Sequence, residues 1–381
     1  MDFELSEEQR LLRNAVREFA QGEIAPRARE IDETGEFPWE ILKKMAELGL
    51  MGLPFPEKYG GAGADTLSCL LAIEEIAAAS GSVAITYNAH LSLGAAPIYM
   101  FGTEAQKQKW LAPLARGEGL GAFALTEPHS GSDAAAMKTR AEDHGDEWLL
   151  NGQKMWITSG SVARSFVVAA KTDPSAGAYG ASNFIVPAGA PGLAVGKDEP
   201  KMGMKGSPTN QLYFQDCRLP KENLLGRLNE GFKQFMLVLD AARITISAMA
   251  LGLGRAALEQ SIKYAKEREA FGQPIAGFQS IQMKLADMAT ELEAARLLMF
   301  KAAVMKDRGE RITKIAAMAK VFASEAADRV CWQAIQIHGG MGYSRELPVE
   351  RYYRDNRLTL IGDGTSEIQR LLIARHLLKE A

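Results

Sequence analysis

The sequence has few cysteines, and they lie far apart. Its 381 residues include only Cys69, Cys217 and Cys331, which form no Cys-x-x-Cys pair and no even-numbered set. We therefore predict buried free thiols in a reducing compartment, not disulfides or a zinc site. The five histidines show no metal-ligand spacing either, so the sequence predicts no metal centre.

An excess of positive charge and long apolar runs are also lacking. The 44 lysines and arginines are outnumbered by 47 aspartates and glutamates, which argues against a nucleic-acid-binding protein. No run of about 18 apolar residues is present, so we predict no membrane span. The N-terminus is acidic and has neither a signal-peptide nor a transit-peptide pattern, and we expect a cytoplasmic protein.

Two common motifs fail on inspection. No Gly-x-Ser-x-Gly elbow occurs, which removes the usual sign of a serine hydrolase. The segment GLGRAA (residues 252–257) resembles a dinucleotide fingerprint, but it lies inside a helical pattern with no strand before it. Its glycines are better explained by the close approach of two helices.

The hydrophobic pattern divides the chain into three regions and predicts an α+β fold. A helical period extends over residues 1–118, a period of two over residues 119–227, and the helical period returns over residues 228–381. We predict an N-terminal all-α domain, a middle antiparallel β domain and a C-terminal helical bundle with these boundaries.

Local signals place several elements within these regions. Ser6 with Gln9, and Thr103 with Gln106, form capping boxes at helix starts. In the β region, Asn151-Gly152 predicts a type I′ turn and thus a hairpin over residues 147–158. Long helices are predicted at residues 232–266, 279–307 and 313–337.

Three segments have compositions that are unusual for segments with only a structural role. LTEPHSGSD (residues 125–133) follows a strand and collects hydroxyls, a carboxylate and glycine in one loop, which suits a polar ligand. QIHGGMGY (residues 336–343) has three glycines where one suffices for a helix C-cap. IGDGTSEIQ (residues 361–369) places Asp363 between two glycines before a helix start. Asp-Gly is a common turn dipeptide, so Asp363 is either a turn residue or a base that a ligand approaches closely.

Several segments, in order along essentially the whole chain, resemble the acyl-CoA dehydrogenase family. ALTEPHSGSDAAA (residues 124–136) fits its first signature, and QIHGGMGYSRE (residues 336–346) fits its second. KMWITSG (residues 154–160), REAFGQP (residues 268–274) and IGDGTSEIQ also match family segments. The resemblance implies an N-terminal helical domain, a middle β domain and a C-terminal four-helix bundle, with FAD as cofactor and an acyl-CoA substrate. It also implies a homotetramer, a dimer of dimers, and electron-transfer flavoprotein as electron acceptor.

The resemblance assigns the cofactor and substrate contacts residue by residue. The flavin contacts fall on the segment from Phe123 to Ser132, which contains Leu125 and Thr126, and on Trp156, Ile157 and Thr158. Contacts to the FAD of a neighbouring subunit fall on Arg268, Phe271, Gln279, Gln336, Gly339 and Gly340, and Thr365 and Glu367 complete the site. The CoA contacts fall on Ser132, Asp240 and Arg243, and Gly364 lets the thioester approach the backbone.

The implied reaction is α,β-dehydrogenation of a short-, branched- or medium-chain acyl-CoA to the trans-2-enoyl-CoA. Asp363 removes the α proton, its backbone N–H binds the carbonyl oxygen, and a hydride passes to flavin N5. Most members of the family carry Glu at this position, and Asp is one methylene shorter. A minority places its Glu on the helix containing LDAAR (residues 239–243), where the matching residue here is Ala242 and cannot act as a base.

The short base leaves alternatives open. A nitroalkane-oxidising branch of the same superfamily uses Asp here and passes electrons to oxygen, although the CoA-contact residues favour a thioester. A non-catalytic, nucleic-acid-associated flavoprotein would need a basic tail that this sequence lacks. The chain length of the substrate depends on residues near Tyr87 to Leu93 and Ala95, and their pattern does not decide it.

Overall fold

The computed structural model describes residues 4–380. The first three residues, part of the acidic N-terminal segment, and Ala381 lie outside this range. The N-terminal region contains eight helices, of which several are joined by short 3₁₀ or π turns. They are α1 (Glu7–Phe19), α2 (Ala28–Thr34), α3 (Trp39–Glu47), α4 (Thr66–Ala79), α5 (Gly81–Ala89), α6 (Ala96–Phe101), α7 (Glu104–Gln106) and α8 (Ala112–Ala115).

The predicted helix starts are confirmed at both capping boxes. Ser6 Oγ accepts the N–H of Gln9, and Gln9 Oε1 accepts the N–H of Ser6. The same reciprocal pair joins Thr103 and Gln106. Helices α4 and α5 are almost wholly buried and form the centre of the N-terminal region.

The middle region is one eight-stranded sheet. Its strands are β1 (Leu120–Ala124), β2 (Arg140–Asp143), β3 (Glu147–Thr158), β4 (Ala163–Lys171), β5 (Ala181–Pro187), β6 (Leu193–Asp198), β7 (Thr209–Pro220) and β8 (Leu224–Leu225). The order is β6-β7-β3-β2-β4-β5-β8, with β1 also paired to β4. The pairs β1–β4 and β2–β4 are parallel and the others antiparallel, so the sheet is mixed where we predicted a purely antiparallel one.

The predicted hairpin at Asn151-Gly152 is wrong. Residues 147–158 form the single strand β3, which pairs along its length with β7. The register shifts between Leu150 and Gly152, and the Asn151 side chain exchanges hydrogen bonds with Asp216 on β7. Gly152 is needed because a Cβ there would lie 2.5 Å from Thr139 Oγ1. The dipeptide therefore forms a β-bulge and not a turn.

The C-terminal region is the predicted helical bundle. A small hairpin lies in the connection between its first two helices. Its elements are α9 (Gly231–Glu267), β9 (Glu269–Ala270), β10 (Gln273–Pro274), α10 (Gln279–Asp307), α11 (Thr313–His338), α12 (Gly340–Tyr343), α13 (Val349–Asn356) and α14 (Ser366–Glu380). Helix α9 is long and apolar enough to cross a membrane by composition, with a mean hydropathy of 1.6, but 72% of that window is buried in the protein. A buried core helix passes the same test.

Gly252 shows why the glycines of α9 are not a nucleotide loop. A Cβ at this position would lie 2.3 Å from the carbonyl oxygen of Glu74 on α4. The glycine therefore lets α4 and α9 come into direct contact, as the sequence predicted.

Buried ion pairs join the same helices. Arg255 of α9 contacts Glu74 at 3.1 Å and Glu75 at 2.7 Å, and these two glutamates are only 4% and 2% exposed. Arg296 of α10 and Arg17 of α1 complete the cluster, at 2.6 Å from Glu74 and 2.8 Å from Glu75. Burial alone would lower the pKa of Arg255, but the nearby carboxylates raise it above its ordinary value.

Replacing Arg255 by Met is expected to destabilise the protein strongly. The substitution leaves two buried carboxylates with only part of their compensating charge, which costs about 3–5 kcal/mol. A fall in apparent Tm, followed by circular dichroism, measures the effect. The matched control is Arg29→Met, which breaks the exposed pair with Glu33 and should leave the Tm close to that of the wild type. Equal Tm values for the two variants would contradict this account.

Candidate functional site

A cleft of about 480 Å³ lies between the loop after β1 and helices α9 and α14. It is lined by Ser132, Asp133, Ala134, Ala135, Phe232, Met236, Arg243, Ile368, Leu371, Leu372 and Arg375. The walls are mainly apolar, and two arginines contribute positive charge. This combination suits a ligand with an extended apolar or aliphatic part and a negatively charged part.

Arg243 and Asp240 form a buried pair on the side of the cleft made by α9. Arg243 Nη1 donates to Asp240 Oδ1 at 2.5 Å, and Thr313 Oγ1 donates to Asp240 Oδ2 at 2.6 Å. Burial lowers the pKa of Arg243 and raises the pKa of Asp240. Within the described residues, Arg243 Nε has no hydrogen-bond partner, so this buried donor is available to an anionic ligand.

Asp363 lies in the short turn that connects to α14. Its backbone has φ +55°, and the following Gly364 has φ +94°. The side chain is half-buried, and across residues 4–380 the carboxylate has no hydrogen-bond or ion-pair partner. Burial raises the pKa of Asp363, and the charges of Lys320 and Arg243 oppose this rise. An unpaired carboxylate with a raised pKa is what a general base requires.

The predicted flavin segments of the β region are held together by a buried ion pair. Lys154 Nζ, 0% exposed, donates to Glu127 Oε1 at 2.8 Å and to the carbonyl of Leu125 at 3.0 Å. Glu127 also accepts the N–H groups of Lys138 and Thr139. The N–H of Met155 donates to the carbonyl of Thr126 at 2.8 Å. The loop after β1 is thus fixed to strand β3.

Burial shifts both members of this pair. It lowers the pKa of Lys154 to about 8. For Glu127, burial alone would raise the pKa, but the charge of Lys154 brings it below its ordinary value. Each group therefore depends on the other to remain ionised.

The structure presents Trp156 as a flat apolar surface beside hydroxyl donors. The backbone of Trp156 has φ +61°, and the residue is 52% exposed. Both values are unusual for so large a residue on a strand. Thr126 and Thr158 are half-buried on the same two segments, and Phe123 and Leu125 pack against α9 through a cluster containing Phe235. A planar ring system with polar edges, such as a flavin, fits this arrangement.

Ile157 differs from the other predicted flavin contacts in its burial. We predicted it as a cofactor contact, but its side chain is 2% exposed and packs in the core of the sheet. The register of β3 against β7 shifts between Lys154 and Ile157, and at this irregular point Trp156 is exposed whereas Ile157 is buried. Only the backbone of Ile157 is left to contact a ligand.

The remaining predicted cofactor residues form a second, separate group. They are Arg268, Phe271, Gln279, Gln336, Gly339 and Gly340; all six are exposed, and none lines the cleft. Phe271 is 96% exposed at φ +52°. Thr365 and Glu367 follow both groups in sequence, and they lie just before and within the first turn of α14. One chain therefore does not bring all the predicted FAD contacts together.

Sequence reasoning missed three charged residues of the site. Glu127, Lys154 and Lys320 are buried and ionisable, yet none was predicted. For Lys320 a signal existed, because a lysine follows three alanines and a methionine in a helix predicted to be core. The Glu127–Lys154 pair joins two segments 27 residues apart, and only the folded chain shows that they meet.

Comparisons with known proteins cover the whole chain. Residues 6–118, 122–217 and 229–378 match the N-terminal, middle and C-terminal domains of acyl-CoA dehydrogenase. The chain is 55% identical to a probable acyl-CoA dehydrogenase, YngJ, of Bacillus subtilis over 380 residues, covering 100% of both. It is 50% identical to the mitochondrial short-chain specific acyl-CoA dehydrogenase of Mus musculus, covering 99% of this chain and 91% of that protein.

A solved structure agrees with these relatives. Butyryl-CoA dehydrogenase from Megasphaera elsdenii superposes with a TM-score of 0.97 at 46% identity, covering 99% of this chain and 100% of that one. The predicted fold class is confirmed. From the three domain matches and these relatives, this chain belongs to the acyl-CoA dehydrogenase family of FAD-dependent oxidoreductases.

Proposed function

We propose that this enzyme catalyses the α,β-dehydrogenation of a short-chain acyl-CoA to the trans-2-enoyl-CoA, with Asp363 as the base. The observation that carries the proposal is the unpaired, half-buried carboxylate of Asp363 in a left-handed turn near Arg243. A turn residue needs no such burial, and an Asp-Gly turn on the surface would leave the pKa near its ordinary value. Of the two explanations for Asp363, the geometry favours the base.

Proton removal requires both a base and stabilisation of the charge that develops. The α proton of a thioester is weakly acidic, so a carboxylate acts on it better as its pKa rises. Burial by the protein supplies part of this rise, and an acyl chain that displaces the remaining water supplies more. Within residues 4–380 the N–H of Asp363 donates no hydrogen bond, so it is available to the thioester oxygen.

The cleft suits the CoA part of the substrate. Arg243 and Arg375 contribute cationic groups, and the lining between them is largely apolar. Ser132 adds a hydroxyl on the opposite wall. We assign the CoA moiety to this cleft, with its acyl end directed toward Asp363, so that the apolar walls exclude water from the reacting carbons.

The flavin is assigned to the segments around Thr126, Trp156 and Thr158, with Thr365 and Glu367 at its other end. When bound, FAD supplies the acceptor for the hydride that leaves the β carbon. The six exposed residues from Arg268 to Gly340 are assigned to the FAD of a neighbouring subunit in a homotetramer. Electron-transfer flavoprotein is assigned as the electron acceptor, as the family resemblance implies.

A short acyl chain is proposed because two of the similar proteins are named a short-chain specific acyl-CoA dehydrogenase and a butyryl-CoA dehydrogenase. The segment predicted to limit chain length is rigidly held. Tyr87 Oη donates to the carbonyl of Leu50 at 3.0 Å, and His90 bridges the carbonyl of Met51 and the N–H of Gly121. Such a segment has little freedom to move aside for a long chain.

The nitroalkane-oxidising alternative keeps one observation in its favour, which is that the base is Asp. Against it, Arg243 and Arg375 serve no purpose for a small nitroalkane. The non-catalytic alternative is not favoured, because the similar proteins named above are enzymes.

Replacing Asp363 by Asn is expected to lower kcat by about 100- to 10,000-fold. The amide has nearly the same shape but cannot accept the α proton. Anaerobic reduction by butyryl-CoA, followed by flavin bleaching, measures the step. Asp363→Glu is the control that keeps a carboxylate, and its turnover should exceed that of Asp363→Asn at least about tenfold. Undiminished turnover by Asp363→Asn would refute the base assignment.

A substrate panel tests the chain length. We expect kcat/KM for butyryl-CoA to exceed that for palmitoyl-CoA by at least about 100-fold, because each methylene that finds no room carries a cost. Octanoyl-CoA, isobutyryl-CoA and isovaleryl-CoA complete the series with an artificial electron acceptor. Nitroethane with oxygen is the counter-assay, and faster turnover there would establish the alternative reaction.

Replacing Glu127 by Gln is expected to weaken FAD binding by at least about tenfold, equal to about 1.4 kcal/mol. The change leaves Lys154 buried without a counter-charge and loosens the loop after β1 from β3. Flavin absorbance relative to protein absorbance after gel filtration measures the loss. Glu142→Gln, at an exposed position on β2, is the matched control. Equal FAD retention by both variants would count against a role for the pair.

A further inference from the structure

Lys320 is a buried cation that the proposed function does not use. It lies on α11 among apolar residues and is 0% exposed. Its Nζ donates to the carbonyl oxygen of Gly364 at 2.8 Å. An ammonium group in such surroundings is costly, and a methionine would fill the same space without that cost. Its single contact with the backbone of the Asp363 turn therefore needs an explanation.

A second donor acts on the same turn. Gln369 of α14 is 0% exposed, and its Nε2 donates to the carbonyls of Asp363 at 3.2 Å and Gly364 at 2.8 Å. A Cβ on Gly364 would lie 2.7 Å from this nitrogen. Buried donors thus bind the carbonyls of Asp363 and Gly364. The carboxylate and the N–H of Asp363 have no partners in the described chain.

The charges around the turn come from three helices. Lys320 of α11 and Arg243 of α9 both act on Asp363 as positive charges. Glu325 of α11 and Glu367 of α14 act on Lys320 as negative charges. Burial lowers the pKa of Lys320 to about 8, so it is largely a cation at neutral pH.

We propose that Lys320 is a positioning residue for this reaction, which fixes the Gly364 carbonyl and thereby orients the Asp363 carboxylate, while its charge favours the ionised base. The inference rests on the proposed role of Asp363. It matters more for Asp than for a longer side chain. Asp has only two side-chain torsions, so the backbone sets where its oxygens lie, and a displacement of about 1 Å costs on the order of 100-fold in rate.

The proposed role of Lys320 fixes the direction in which the pH dependence of kcat should change when its charge is removed. The base works only when it is ionised, so activity falls as the pH drops through the pKa of Asp363. Removing the positive charge of Lys320 removes an interaction that lowers this pKa. The acid limb of the kcat profile must then move to higher pH.

The test compares Lys320→Met with the same substitution at Lys301, an exposed residue of α10. We expect Lys320→Met to lower kcat by about 10- to 100-fold with KM within about threefold of wild type, and to move the acid limb up by about one pH unit. Lys301→Met should change neither. Lys320→Arg, which keeps the charge, should return the acid limb toward its wild-type position. If the Met variant does not fold, Lys320→Gln serves in its place.

Two results would overturn the proposal. One is a Lys320→Met enzyme with wild-type kcat and acid limb; the other is a lowered kcat with an unmoved acid limb, which indicates a structural role only. In an Asp363→Asn background, Lys320→Met should cause no further loss of turnover. If Asp363→Asn alone retains full turnover, the proposed function fails, and this result is read separately from the Lys320 variants.

Discussion

The left-handed backbone at Asp363 is the constraint on which the rest of the site depends. A non-glycine residue at φ +55° costs of order 1–3 kcal/mol and persists only where its surroundings fix it. Here the surroundings are Lys320 and Gln369, which donate to the turn from two different helices. These hydrogen bonds compensate for the strain. Within residues 4–380, the carboxylate and the N–H of Asp363 are both left without a hydrogen-bond partner.

The candidate site uses residues of the middle and C-terminal regions, and polar contacts join all three regions of the fold. Arg354 of α13 contacts both oxygens of Asp32 on α2, and Asp355 Oδ1 accepts the N–H of Met204, which lies between β6 and β7. Burial raises the pKa of Asp355 to about 6. These contacts tie the N-terminal helices and the β region to the C-terminal bundle through hydrogen-bonded polar groups, so the site is built on a joined framework.

Sequence periodicity predicted the helical regions accurately and the sheet less accurately, and the difference has a physical reason. Helix α10 begins and ends at the predicted residues, because a 3.6-residue hydrophobic period is a local signal. The Asn151-Gly152 bulge and the parallel pairing of β1 with β4 depend on partners far along the chain. The site divides in the same way. The glycine neighbours of Asp363 left both a turn and a base open, and the family resemblance favoured the base. The position of Lys320 against the Gly364 carbonyl is seen only in the folded chain.

The same burial acts on base and cation in opposite directions. It raises the pKa of Asp363 and lowers that of Lys320 to about 8, which brings their proton affinities closer together than in water. A base paired directly with this cation would be too weak, since a tight ion pair depresses the proton affinity of the carboxylate. By binding the neighbouring carbonyl instead, Lys320 supplies its field without occupying the oxygens of Asp363. The charge of Lys320 thus favours the ionised carboxylate, whose oxygens keep a lone pair directed by the backbone for the α proton.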